Sequence, residues 1–382
     1  MITARTTLMR RVFAAFDASP TRIPVLLGGS GSGRTTLVQQ LRDRLGRTAV
    51  QHIDVERTAT TPERFYRAVL ASSPFPTTDA APAGVRLAFD ATLTFLTHTR
   101  SAAGEPAMFV LDEFLELRTF ESFPGLRRVL HDLVEGLSAS NNRFVLTSRY
   151  VARSMRLLRD RSARFEVIHM PSLTADETLG MLGLAGAPGG DSHDAEYVAR
   201  TVQALADGRP AYVRAMSDEL SAIREHGGAG SSDAISALAA LLAPGGRLAN
   251  LCAFCYELRL HRARGYGALK AILEILADEE GLTLTEISQR LQRTPGSTKD
   301  YLSWLEDVDL VQSRQKRYSF TDPVLRVWVR LHCRASAPNE DELAREVHRY
   351  ALPRLPQSEA PQLAEGAFAM ATAGSSGIIE ID

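Results

Sequence analysis

A chain of 382 residues with 45% apolar and 23% charged side chains is long enough for two or three packed units and has an ordinary globular composition. Its formal charge of −1 excludes a polyelectrolyte, so any nucleic-acid contact must come from a local patch. Three cysteines make no disulfide framework, which points to a reducing, cytoplasmic setting. No apolar run approaches the roughly 20 residues that span a membrane, and none of signal-peptide type follows the first five residues.

Residues 3–16 carry Leu8, Val12, Phe13 and Phe16 at helical spacing. Ile23–Leu27 is an unbroken apolar run, as in a strand covered on both faces of a parallel sheet. It leads into Gly28-Gly29-Ser30-Gly31-Ser32-Gly33-Arg34-Thr35-Thr36, and then into a helix to about Leu45. Strand, glycine loop and helix form the context of a phosphate-binding loop, in which backbone N–H groups and a helix N-terminus hold phosphates and the Thr35 hydroxyl serves Mg²⁺. Gly28, Gly33 and Thr35 fit the pattern, but Arg34 stands where the loop's lysine belongs. Lysine is rare throughout: all but Lys270, Lys299 and Lys316 of the 44 basic residues are arginine. Arginine keeps the charge but is planar, forked and bulkier, so nucleotide binding is expected to survive while hydrolysis is the vulnerable step.

A second strand is expected at 49–55, ending in acid, and a helix capped by Thr61 with Pro62 at its first position runs to about Ala71. A loop at 72–84 and a helix at 85–99 follow. The run Ala107-Met108-Phe109-Val110-Leu111-Asp112-Glu113 is the second strong signal. An apolar strand delivering two carboxylates at its C-terminal end has the form of a Walker B strand, with Asp112 on Mg²⁺ and Glu113 orienting or deprotonating the attacking water. A helix is expected at 124–137. A strand at 142–149 ends in Thr147-Ser148-Arg149, where Arg149 is a candidate phosphate charge stabiliser. A helix at 151–159 and a strand at 164–170 complete the alternation, an α/β doubly wound pattern. Arg161 and Arg164 are candidates for an arginine finger acting on a neighbouring subunit, or are simply solvated charges.

The chain then turns helical. Thr174-Ala175-Asp176-Glu177 reads as a capping box, and Gly-rich turns are expected at 180–190 and 227–233. Helices are expected at 194–205, 210–224 and 235–260, the last interrupted at Pro244-Gly245-Gly246. Cys252 and Cys255 lie in an apolar helical run and read as core thiols rather than zinc ligands, which come in fours. Helices at 268–277, 284–291 and 298–307, a turn at 294–297, and two short strands around Arg314-Gln315-Lys316-Arg317 spell a winged helix-turn-helix. A charged helix at 341–350 and an Ala/Gly/Ser-rich tail to Asp382, expected to be poorly ordered, close the chain. The expected division is 1–172, 173–262, 263–335 and 336–382.

The loop at 28–36, Leu111-Asp112-Glu113, Leu146-Thr147-Ser148-Arg149, Gly208-Arg209-Pro210 and Phe320-Thr321-Asp322-Pro323-Val324-Leu325-Arg326-Val327-Trp328, taken together, resemble the AAA+/STAND P-loop ATPases, and among them the prokaryotic archaeal-type ATPases. The resemblance covers about residues 3–335. It implies a P-loop parallel sheet flanked by helices, a helical lid, ATP or ADP with Mg²⁺ bound between them, and the winged helix beyond. It implies Thr147 as a γ-phosphate sensor, and Arg209 and Pro210 near the adenine, with Arg209 a possible second sensor. Members include DNA binders and signalling switches. Two functions stay open: a nucleotide-controlled module that binds double-stranded DNA through 294–318, and a nucleotide-gated switch whose winged helix meets a protein partner or a second copy. Glu306, Asp307 and Asp309 weigh against DNA, since they sit where a basic footprint is expected.

Overall fold

The computed structural model describes residues 5–77, 82–161, 163–184, 192–225, 231–261, 265–334 and 336–356. Five parallel strands, β1 (Ile23–Leu27), β2 (Val50–Asp54), β3 (Met108–Asp112), β4 (Arg143–Ser148) and β5 (Phe165–His169), form one sheet in the order β2-β3-β4-β1-β5. Side chains alternate across each strand, so each apolar run serves two cores. Leu26, Val50, Val110, Val145 and Ile168 pack under the helices Thr6–Asp17 and Arg34–Leu45. Val25, Ile53, Phe109, Leu111 and Phe144 face the helices Pro62–Ala71, Val85–His98 and Val129–Ala139 on the other side. This is why β1, β3 and β4 read as continuous hydrophobic runs.

Phe109 is central to that second core. Its ring stacks on Phe144 at 5.7 Å between centroids and meets Phe75 and Phe95 edge-on at 5.3 and 5.9 Å. Phe109→Ala is expected to cost about 3–5 kcal/mol through lost burial and a cavity between sheet and helices. Urea unfolding followed by circular dichroism reads this directly.

Beyond β5 the chain is helical. Thr174 caps Ala175–Met181 with the reciprocal Glu177 contact that the sequence predicts. The helices Ser192–Leu205, Pro210–Glu225, Ser231–Leu242 and Arg247–Leu260 follow. The expected linker at 227–233 is shorter than read, because a helix already begins at Ser231; residues 226–230 lie outside the described residues, as do 185–191 of the other Gly-rich turn. Cys252 and Cys255 are buried in the Arg247–Leu260 helix, and the described residues contain no His/Cys/Asp/Glu group suited to a metal ion. No single described helix is long and apolar enough to cross a membrane.

The helices Tyr266–Asp278, Leu284–Leu291 and Pro295–Asp307 precede a three-stranded antiparallel sheet of β6 (Leu282–Thr283), β7 (Val311–Arg314) and β8 (Arg317–Phe320), in the order β6-β8-β7. Two expectations change here. The segment 294–297 is not a free turn, because Thr294 accepts from the Ser297 N–H and Pro295 opens the helix. The wing has a third strand, β6, too short to announce itself by alternation. Elsewhere, the helix expected from 124 begins only at Val129, and a 3-10 turn, Phe114–Ser122, fills the space after β3.

The helix Glu340–Ala351 is no detached appendage. Its Val347 and Tyr350 are buried, the Tyr350 hydroxyl donates to the Leu205 carbonyl at 2.9 Å, and Glu346 pairs with Arg330 at 2.8 Å. The tail at 357–382 lies outside the described residues. One continuous apolar cluster runs from the sheet through the helical layer to Trp328 and Val347.

Candidate functional site

The loop after β1 is shaped by residues that only glycine tolerates. Gly31 has φ +80°, and a Cβ there lies 2.9 Å from the Ala211 Cβ. The Gly31 carbonyl accepts the Ala211 N–H at 3.1 Å, so the helix Pro210–Glu225 begins on the loop itself. Between the loop and this helical layer is a cavity of about 420 Å³, lined by Gly31, Arg34, Thr35, Thr36, Pro210 and Arg214 among others. Arg247 reaches it from the start of the helix Arg247–Leu260. The Ser32 hydroxyl and the Arg34 Nε are buried with no hydrogen-bond partner. A positive-φ glycine loop, a helix N-terminus and unpartnered donors around one cavity fit the phosphates of a nucleotide.

The carboxylates of β3 lie beside β4, as the parallel pairing of Leu111 with Leu146 requires. Thr147 links them: its hydroxyl donates to Asp112 Oδ1 and accepts the Glu113 N–H at 3.1 Å. His52 of β2 places its Nε2 3.4 Å from Asp112 Oδ2. Burial opposes ionisation of Asp112, but the hydrogen bonds from His52 and Thr147 and the nearby Arg34 charge hold its carboxyl below the usual range.

Glu113, in the left-handed region at φ +57°, turns its carboxylate into a clamp of arginines. Arg34 Nη1 lies 2.6 Å from Oε1, with both side chains 10% exposed. Arg149 contributes its Nε at 3.3 Å from Oε1 and its backbone N–H to Oε2 at 2.9 Å, and pairs with Glu56 as well. In this state Arg34 and Arg149 both hold the glutamate, and the Arg34 Nε is left without a hydrogen bond. The reason is charge balance: a buried carboxylate draws in the cations within reach.

Arg209 sits just beyond a tight turn. Asp207 and Gly208 both take positive φ, and a Cβ on Gly208 would lie 2.7 Å from the Ser172 Cβ. This tight turn sends Arg209 toward the winged helix. Its Nη2 donates to the Thr321 carbonyl at 3.0 Å and its Nη1 lies 3.2 Å from Asp322 Oδ2. The same oxygen accepts the Tyr212 hydroxyl at 2.7 Å, while Oδ1 caps Pro323–His332 through the Val324 and Leu325 N–H groups. The Gly208-Arg209-Pro210 and Asp322-Pro323 runs, over a hundred residues apart in sequence, meet here above the loop.

Arg164 departs from its expected role. Its guanidinium donates to the Ser138 and Ser140 carbonyls of its own core at 3.2 and 2.8 Å, so it is spent internally rather than offered to a neighbour. The Arg161 side chain lies outside the described residues.

Two of the three acids that weighed against DNA have other uses. Asp307 pairs with Arg153 and Arg156, and Asp309 accepts the Ala152 N–H at 3.2 Å and that of Val151, capping the helix Val151–Leu158. The C-terminal end of the Pro295–Asp307 helix is thus docked on the core. Its N-terminal end and the wing tip remain open, with Arg293, Lys299, Arg314, Lys316 and Arg317 exposed.

Burial raises the Asp309 carboxyl to about 6, against the lowering effect of its two backbone hydrogen bonds and the Arg259 and Arg153 charges. The folded chain therefore holds this proton more tightly than the unfolded chain. The resulting stabilisation is complete below about pH 4 and vanishes as pH rises through about 6. A loss on the order of 2–3 kcal/mol is expected from this group between those limits. Asp309→Asn, which keeps an oxygen acceptor, is expected to remove it. Urea midpoints of both chains at acid and neutral pH measure the difference.

Sequence reasoning missed His52, Glu56 and Arg259. The first two follow from strand order, which puts β2 beside β3. Arg259, 6% exposed, was legible only as one of two charges, with Glu257, near the end of a largely apolar helix.

Comparison with known proteins bears on the fold. The solved structure of a Walker-type ATPase of Pyrococcus abyssi superposes with a TM-score of 0.62 at 17% identity, over 86% of this chain and 96% of that one. The fold is that of a P-loop ATPase. Residues 268–312 match the family described as winged helix-turn-helix DNA-binding. Orc1 of Aeropyrum pernix, solved in complex with DNA, gives a TM-score of 0.47 at 17% identity over 93% of this chain and 94% of that one. Cdc6p of Pyrobaculum aerophilum gives 0.41 at 15% identity over 93% and 96%. No curated protein matches the sequence. The P-loop sheet, its flanking helices and the C-terminal winged helix thus agree with the reading made from sequence.

Proposed function

We propose that this chain binds ATP between the loop and the helical layer, and that nucleotide state controls a winged helix that binds double-stranded DNA. The observation that carries the coupling is Arg209, which bonds the winged helix at Thr321 and Asp322 while its Nη1 lies 3.3 Å from where a Cβ on Gly29 of the loop would stand. A change at the loop is felt by that side chain directly. The boundaries near 172, 262 and 335 then separate the parts that would move.

In this reading Gly28, Gly29, Ser30, Gly31, Ser32, Gly33, Arg34, Thr35 and Thr36 hold the phosphates, Thr147 lies next to them, and Arg209 and Pro210 belong to the adenine end of the nucleotide. Thr35 and Asp112 hold Mg²⁺, which when bound neutralises phosphate charge. Glu113 is the candidate base. It serves only after leaving the Arg34 and Arg149 clamp, so turnover is expected to be slow. The ordinary expectation of a cytoplasmic protein goes with this reading.

The exposed basic end of the Pro295–Asp307 helix and the wing tip supports DNA rather than protein as the partner, since two of the three competing acids are used on the core. Fluorescence anisotropy with duplex DNA and saturating ATP is expected to show affinity falling steeply with salt. Joint replacement of Lys299, Arg314 and Lys316 by alanine should reduce the salt slope by about three. Absence of binding at low salt would sink the DNA reading and leave the protein-partner or self-association alternative.

A further inference from the structure

Away from the loop, a cavity of about 220 Å³ lies where three elements meet: the 3-10 turn Phe114–Ser122, the start of the helix Val151–Leu158, and the Pro295–Asp307 helix of the winged helix. Arg118 lines it from the turn and Arg153 from the helix, while Tyr150 and Trp304 form aromatic walls. The two guanidiniums are poorly balanced. Arg118 Nε lies 3.7 Å from Glu121 Oε2, and Arg153 Nη2 lies 3.7 Å from Asp307 Oδ2, so neither pair is at hydrogen-bond distance. Asp307 is already held by Arg156. The Arg153 side chain is only 18% exposed and stands over the Tyr150 ring at 5.8 Å. Burial, and then the Arg118 charge, pull the Arg153 guanidinium below its usual range, against the raising effect of Asp307. Glu116 is the one acid that lines the cavity. Burial, and then its charge, push the Tyr150 hydroxyl up to about 12, so that wall stays neutral.

Two like charges that line one cavity, each with its acid out of hydrogen-bond reach, repel one another until an anion comes between them. We propose that this cavity is a binding site for a small phosphate-type dianion, held between Arg118 and Arg153 where the core meets the winged helix. A dianion meets both guanidiniums in charge-assisted bonds, which for arginine are often two-pronged. The volume is below the roughly 300 Å³ at which pockets for drug-sized ligands begin, so the occupant is free phosphate or a small phosphate ester rather than a nucleotide. Tyr150 and Trp304 offer flat apolar faces to the organic part of an ester. Trp304 comes from the winged helix, so the cavity is complete only while that unit is docked, and an occupant favours the docked arrangement. The site is separate from the phosphate-binding loop and does not depend on what the loop binds.

Calorimetry on the full chain with inorganic phosphate and with phenyl phosphate, at constant ionic strength, tests this. Binding with a Kd of about 1 mM or tighter is expected. Arg118→Gln and Arg153→Gln are each expected to weaken it about tenfold or more, with Arg118→Lys recovering part, while Arg34→Ala at the loop leaves it in place. Trp304 lines the cavity, so tryptophan fluorescence is expected to change with the same midpoint, and Trp304→Phe to remove that change. Tighter binding of phenyl phosphate assigns an ester as the occupant; equal binding of the two assigns free phosphate. No saturable binding by about 20 mM overturns the site. So does binding that is lost in Arg34→Ala and kept in both Arg118→Gln and Arg153→Gln, because the anion then belongs to the loop. Arg118 is 45% exposed, so Arg118→Gln decides the outcome if Arg153→Gln does not fold.

Discussion

Asp322→Ala is expected to destabilise the folded chain by about 3–5 kcal/mol, the cost of stripping a buried guanidinium of its carboxylate. Asp322 is 6% exposed and serves three neighbours: the Arg209 guanidinium, the Tyr212 hydroxyl and two N–H groups at the start of Pro323–His332. Losing the cap alone costs about 1 kcal/mol, and losing the tyrosine bond about as much. Removing the nearer of the two counter-charges of Arg209 is the larger part, with Asp207 Oδ2 left 3.5 Å from its Nε. Tyr212→Phe separates the contributions, because it is expected to cost only about 1 kcal/mol. Both tryptophans, Trp304 and Trp328, belong to the winged-helix region, so urea unfolding followed by their fluorescence reports on the affected part. A cost for Asp322→Ala no greater than for Tyr212→Phe would mean that Arg209 is satisfied without it.

Arg34 carries the second large effect. Arg34→Ala removes the one cationic side chain of the loop and is expected to weaken ATP binding by about tenfold to a hundredfold, the range of a hydrogen bond to a charged group. Arg34→Lys is expected to act in the opposite sense on turnover. Lysine supplies a compact charge without the guanidinium nitrogen that meets Glu113 Oε1, and leaves Glu113 with Arg149 alone. A rise in phosphate release of about tenfold, with ATP affinity little changed, is the expected outcome for a base freed from one of two cations. Glu113→Gln is the control, since phosphate release that persists in that variant comes from elsewhere. Equal turnover in the natural chain and Arg34→Lys would show that the 2.6 Å pair with Glu113 does not restrain the reaction.

The sequence by itself determined the elements and most of their ends. Continuous apolar runs marked β1, β3 and β4 because both faces of the sheet are covered, and local chemistry marked the helix starts at Thr61 and Thr174 through side chains that reach only three residues on. The loop at 28–36 and the Asp112-Glu113 pair were legible for the same reason: each is a short-range pattern whose neighbours along the chain are its neighbours in space.

Only the tertiary structure decided what the charged side chains do. Arg34 and Arg149 belong to Glu113, Arg209 belongs to Asp322, Arg164 belongs to the carbonyls of Ser138 and Ser140, and Asp307 and Asp309 belong to the helix Val151–Leu158. Sequence gives each of these residues a charge and an address on an element. A long side chain pairs with whichever opposite charge or backbone group the packing brings within about 3 Å, and that partner lies tens to more than a hundred residues away. The phosphate-binding loop was therefore readable from the start, whereas the arginines gathered around it, and the winged helix they hold, became visible only once the chain was folded.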